Sequence, residues 1–127
     1  MSWKSWLHLL NDCAGSSAII SIDGTEFAHE GKWFASPDET LNIARIFKNP
    51  EEYLYKNISF GDKKYKIIIA ESNFVVAYFG KENLIFQRSK KLIIGAYVYR
   101  DPLSNNSPQQ ISGRIYKTIL DLCEINW

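Results

Sequence analysis

Apolar residues change their spacing along this chain, and each change marks an element. Trp3, Trp6, Leu7 and Leu10 recur at three- and four-residue intervals, the period of one helix face. With Ser2 as cap, the spacing predicts a helix over residues 2–12. The small residues Cys13 to Ser17 break it. "AIISI" (18–22) is a β-branched apolar run followed by Asp23-Gly24, a strong hairpin signal, so "TEFA" (25–28) is the expected return strand. "SPDE" (36–39) is a helix start: Ser36 caps, Pro37 takes the first helical position and Glu39 closes a capping box. That helix is expected to run to about Phe47 with Leu41, Ala44 and Phe47 on one face, and Asn49-Pro50-Glu51-Glu52 opens a shorter helical turn.

From Lys64 onward the pattern changes to strands. "YKIIIA" (65–70), "FVVAYF" (74–79), "NLIFQR" (83–88) and "KLIIGAYVY" (91–99) are separated by "ESN", "GKE" and "SK", links short enough for antiparallel hairpins. Residues 100–110 lack hydrophobic periodicity and read as a loop; residues 111–127 read as a helix with Ile115, Ile119 and Leu122 on one stripe. The plan is helix, hairpin, two short helices, a four-strand meander and helix. This is an α+β fold with a central antiparallel sheet whose faces need helices to cover them. Terminal helices side by side on one face bring Trp3, Trp6 and Trp127 together.

Length and composition narrow the function. A chain of 127 residues suits one domain over 1–127. The net charge of +1 gives no reason to expect nucleic-acid binding. No apolar run approaches the roughly 20 residues of a membrane helix, and the start lacks the features of a secretory leader, so a cytoplasmic location is expected. Cys13 and Cys123 show no metal-ligand spacing. Two free thiols are the plain expectation in a reducing cytosol, and a bond between them stays open if the terminal segments lie side by side. His8 and His29 have no nucleophile or carboxylate at a recognisable spacing. No catalysis, cofactor or metal is expected.

The ordered set of features resembles the profilin family over the whole chain. It begins "MSW" with a second aromatic at Trp6; "AIISIDGTEFA" resembles the family's first hairpin; "GKWFASPDE" resembles the stretch before its second helix, with Phe34 as the buried aromatic; "FGDKKYKII" and "AYVYRDP" resemble the start and end of its central strands; and an aromatic residue stands last. The resemblance implies a monomeric protein that binds monomeric actin, speeds exchange of its nucleotide and holds proline-rich segments on a second surface, with phosphoinositide headgroups as further ligands, in the cytoplasm at the cytoskeleton. It implies a profilin-like sheet with the N- and C-terminal helices on one face and short helices on the other. Polyproline II is rigid and displays free carbonyls; aromatic grooves bearing N–H or O–H donors recognise it. By position the implied groove is Trp3, Trp6, Phe27, Leu122 and Trp127, with Phe27 where the family usually has Trp and Asp121 where it has His or Tyr. Alternation against Phe34 predicts an exposed Trp33, outside that groove. The implied actin surface is Lys64, Lys66, Lys81, Arg88, Arg114 and Lys117, basic residues suited to an acidic partner. Lys117 stands where the family often has an acid.

Three other readings compete. A proline-rich-peptide adaptor with weak or lost actin binding keeps the aromatics. A longin-type trafficking domain shares a sheet with helices but lacks a reason for terminal aromatics. A lipid-surface role rests on Lys63, Lys64, Lys66, Lys81, Lys90 and Lys91, which give modest, salt-sensitive attraction.

Overall fold

The computed structural model describes residues 16–31, 33 and 35–99. The helices expected over 2–12 and 111–127, the loop over 100–110 and the buried Phe34 lie outside the described residues.

Seven antiparallel strands form one sheet in the order β2-β1-β7-β6-β5-β4-β3. They are β1 (Ser16–Ser21), β2 (Glu26–Gly31), β3 (Asn57–Phe60), β4 (Lys63–Ala70), β5 (Phe74–Phe79), β6 (Glu82–Arg88) and β7 (Leu92–Tyr99). Two helices, α1 (Pro37–Lys48) and α2 (Pro50–Tyr53), join β2 to β3. The hydrophobic pattern predicts a four-strand meander; the structure has five consecutive strands there. The addition is β3, four residues in which only Ile58 and Phe60 are buried. It pairs with β4 across the two-residue Gly61–Asp62 turn. Gly-Asp between alternating runs is itself a hairpin signal. The first hairpin is longer than "AIISI" and "TEFA" suggest, because the buried Ser16 and Ser17 extend β1 and His29 to Gly31 extend β2.

The α1 start forms as its sequence dictates. The Glu39 amide donates to Ser36 Oγ at 3.2 Å, and the Ser36 amide donates to Glu39 Oε1 at 2.9 Å. This reciprocal box satisfies two otherwise orphaned donors. The buried stripe is Thr40, Ile43, Ala44, Ile46 and Phe47; Leu41 sits at its margin, partly exposed. That stripe packs on one face of the sheet, called the inner face, against Ala18, Ile20, Ile58, Phe60, Tyr65, Ile67, Val75, Ala77, Leu84, Phe86 and Ile93.

Trp33 joins this core and is only 4% exposed, contrary to the exposure that alternation predicts. Alternation holds within a strand, and β2 ends at Gly31. The link from β2 to α1 is free to drop the indole onto the inner face. There its ring meets Phe60 edge-on with centroids 4.8 Å apart, and Phe86 at 6.4 Å. Gly95 makes the room: a Cβ there would stand 2.7 Å from the Phe86 ring and 2.9 Å from the Trp33 ring.

Alternation sends the other residues of each strand to the outer face. Its β1–β7–β6 half is apolar and buried, with Ile19, Leu92, Ile94, Ala96 and Ile85 all at 0% exposure. The cross-strand pairs Ile19↔Ile94 and Ile85↔Ala96 build it.

An open apolar and basic face on strands β4 and β5

Moving across the outer face from β6 to β5 and β4, burial thins out while apolar character continues; Val76 on β5 is still buried, at 7% exposure. Tyr78 on β5 is 38% exposed, and Ile68 and Ile69 on β4 are exposed to a similar degree. A bulge explains two adjacent exposed isoleucines. Ile67 pairs with Ala77 and Ile69 with Val76, so Ile68 is an extra residue in β4. Such an insertion re-aims side chains and increases local twist. Ile67, before the bulge, and Ala70, after it, still face the inner core. Tyr55 extends this region: its amide donates to the Ile67 carbonyl at 2.8 Å, continuing the pairing past β3. Tyr55 is 67% exposed and takes a φ of 67°, a conformation uncommon for a bulky residue and held only where surroundings enforce it.

Basic residues frame the apolar strip. Lys66 stands directly opposite Tyr78, and Lys64 shares its side of β4, since the intervening Tyr65 is buried in the core. Lys81 occupies the β5–β6 turn at the same end. All three are exposed, and among the described residues none has a carboxylate within ion-pair distance. Lys63 differs. Its Nζ donates to both oxygens of Glu82, at 2.6 and 2.7 Å, and Tyr97 Oη donates to Glu82 Oε1 at 2.6 Å. These bonds, Lys63 first and then Tyr97, hold the Glu82 carboxyl below the usual carboxylate range. Burial, with the Glu82 charge adding to it, pushes the Tyr65 phenol up to about 12.

The structure therefore gathers Lys64, Lys66 and Lys81, and sets Arg88 apart. Arg88 closes β6, seven residues or about 20 Å from the Lys81 turn. It also takes the alternation shared by Leu84 and Phe86, which is the inner-face one. Lys90 and Lys91 lie with Arg88 at that far end, so the six-lysine cluster divides into two groups. Arg114 and Lys117 lie outside the described residues, as do Trp3, Trp6, Leu122, Trp127, Asp121, Cys13 and Cys123. Of the implied proline groove, Phe27 is described: it lies on edge strand β2 and is 41% exposed.

Reading for charge misses Ile68, Ile69 and Tyr78. The signal was present in "IIIA": a strand with one buried face cannot bury three consecutive isoleucines. Among the described residues, no His, Cys, Asp or Glu cluster forms a metal site, and no helix is long and apolar enough to cross a membrane.

The comparisons with known proteins agree with this architecture. The Schizosaccharomyces pombe profilin structure superposes with a TM-score of 0.87 at 21% identity, covering 99% of this chain and 100% of that one. LokiProfilin1, solved in complex with rabbit actin, gives 0.73 at 21% identity with 98% of each chain covered. Mouse profilin IIa, solved with a double repeat from the FH1 domain of mDia1, gives 0.75 at 14% identity with both chains covered in full. These likenesses establish a profilin-like fold. The family model for profilin matches residues 1–118, and on that match the chain belongs to the profilin family.

Proposed function

We propose that this protein binds monomeric actin through the open β4–β5 face and holds proline-rich segments on a second, aromatic surface. One observation carries the actin reading: an apolar strip of Ile68, Ile69 and Tyr78 is left open beside Lys64, Lys66 and Lys81. Interfaces concentrate their affinity in such desolvated aromatic and apolar anchors, while surrounding charge sets orientation and association rate. Arg114 and Lys117 complete the basic set in this reading, and Arg88 contributes at its margin. The actin-bound LokiProfilin1 supports it by likeness of fold. Faster nucleotide exchange follows if the protein prefers an open state of actin, because differential affinity shifts that population without any catalysis by this chain. The protein then works as a binding regulator at the actin cytoskeleton of the cytoplasm.

The proline surface consists in this reading of Trp3, Trp6, Phe27, Leu122 and Trp127. The partial exposure of Phe27 on an edge strand supports it, as does the fold shared with the FH1-bound mouse protein. Phe27 has no N–H to donate, and an ionised Asp121 neither stacks nor donates, so binding is expected to be weaker than a full aromatic set gives. Phosphoinositide headgroups draw on the same lysines.

Calorimetric titration with monomeric actin tests the first claim. Saturable 1:1 binding is expected, weakened by about 1–3 kcal/mol on joint charge reversal of Lys81 and Arg114. No heat and no co-migration with actin, with the fold intact, would leave the adaptor reading in its place. For the second claim, a proline-rich peptide should change tryptophan fluorescence, and Trp3→Ala should remove the change while leaving actin affinity within about twofold.

A further inference from the structure

We infer that Glu82 is a positioning residue for Lys81, holding the β5–β6 turn in the geometry that presents this lysine beside the open face. Phe79 pairs directly with Glu82, so the turn has only two residues, Gly80 and Lys81. Gly80 has a φ of 59°, and among the described non-glycine residues only Tyr55 shares that sign. Positive φ at the first turn position alone is the type II′ pattern. The twist of such a turn matches the flanking strands, and the ladder holds it on its open side, but neither ties down the side chains at its tip.

Side chains supply the missing constraint. Asn83 Nδ2 donates to the Lys81 carbonyl at 3.3 Å. The Glu82 carboxylate is fixed from two directions, by Lys63 on β4 and by Tyr97 on β7. In strand order β4 and β6 are separated by β5, so Lys63 reaches Glu82 across the end of β5, with Nζ 5.7 Å from the centroid of the Phe79 ring. One carboxylate thus ties β4, β6 and β7 together immediately beside the turn. Its side chain is 14% exposed and that of Lys63 is 46% exposed, so the carboxylate is the shielded end of the pair. The same pairing consumes the Lys63 charge. The lysines that remain available flank the apolar strip, and Lys81 is the one whose position depends on a turn.

What Lys81 does there rests on the actin reading; its restraint by Glu82 does not. The test uses the full-length protein. Backbone ¹⁵N relaxation is measured for the wild type, Glu82→Ala and Tyr97→Phe. The heteronuclear NOE at Gly80 and Lys81 should fall in Glu82→Ala and fall by less in Tyr97→Phe, while the Glu71–Asn73 turn stays unchanged as an internal control. Actin association rates then form a double-mutant cycle: Glu82→Ala should slow association by roughly twofold to threefold when Lys81 is present and not at all in the Lys81→Ala background. An unchanged NOE, or equal slowing in both backgrounds, overturns the inference. If Glu82→Ala does not fold, the nearly isosteric Tyr97→Phe decides by the same NOE reading. If the wild type binds no actin, the proposed function fails while the relaxation result still decides the positioning role.

Discussion

Ile85 and Ile94 are fully buried on the outer face, whereas Ile69 and Tyr78, on strands of the same face nearer the β3 edge, keep more than a third of their surface in contact with solvent. Both halves are built by the same alternation and from similar apolar residues. The half around β1, β7 and β6 behaves as a protein core. The half on β4 and β5 keeps apolar side chains that folding does not hide, and each forgoes on the order of 1 kcal/mol of burial. A β-bulge adds an isoleucine to the open half, and three lysines without described ion-pair partners surround it. Apolar side chains left open beside charge are what a partner surface needs, and the proposed actin site draws on this half. The difference between the halves separates what makes the fold from what the proposal assigns to binding.

The largest expected effect breaks the comparison at its buried half. Ile85→Ala and Ile94→Ala should each lower unfolding free energy by about 2–5 kcal/mol, the range for emptying a filled core site. Ile69→Ala should cost less, about 1–2 kcal/mol, because more than a third of that residue is already in water. Urea denaturation of the three variants decides it; a loss at Ile69 as large as that at Ile94 would show the open half to be core.

Next in size is the reverse experiment, on binding. Tyr78→Ala and Ile69→Ala should weaken actin binding by about 1–3 kcal/mol each, as truncation of a central apolar anchor does, with a smaller drop in thermal midpoint than Ile85→Ala or Ile94→Ala gives. Lys66→Glu should act differently, slowing association more than it speeds dissociation, with an effect that shrinks as salt rises. Stopped-flow traces at two ionic strengths separate the two behaviours, and salt-independent loss at Lys66 would make it an anchor instead of a steering charge.

How much of this was legible depends on whether the signal was local. The capping box at Ser36–Glu39, the Asp23–Gly24 hairpin and the strands from β4 to β7 all follow from residues close in sequence. In that hairpin the Thr25 amide donates to Asp23 Oδ1 at 3.2 Å and to Ser21 Oγ at 3.1 Å. β3 was less legible because a four-residue edge strand carries only two buried residues. Trp33 was misleading because alternation stops where the strand stops, and its place is set by Gly95, 62 residues later in the chain. The candidate site divides in the same way. The lysines of β4 could be named from composition and order, but that Arg88 lies at the far end of the sheet is a consequence of strand direction. "IIIA" announces that not every isoleucine there can be buried, but that the exposed pair is Ile68 and Ile69 follows from a bulge, a register event between β4 and β5.

The smallest expected effect concerns acid, and it separates the fold from the face once more. Glu82 is paired with Lys63 and hydrogen-bonded by Tyr97, and its folded-state carboxyl is held below the ordinary value. A carboxylate with a lowered folded pKa stabilises the native state fully above its unfolded value, about 4.3 for glutamate. That contribution disappears as pH falls through the lowered folded value. Stability should therefore decline on acidification below the unfolded value partly through this one group. In Glu82→Gln the decline should be shallower, so that wild type and variant converge at the acid end. Glu82 shares the inner-face alternation of Leu84 and Phe86, so this effect belongs to the fold and not to the open face. Urea midpoints of both proteins across this pH range, measured at fixed ionic strength, carry the test. A constant gap between them down to the acid end would mean that the carboxylate contributes by shape alone and that its charge is not what ties β4, β6 and β7 together.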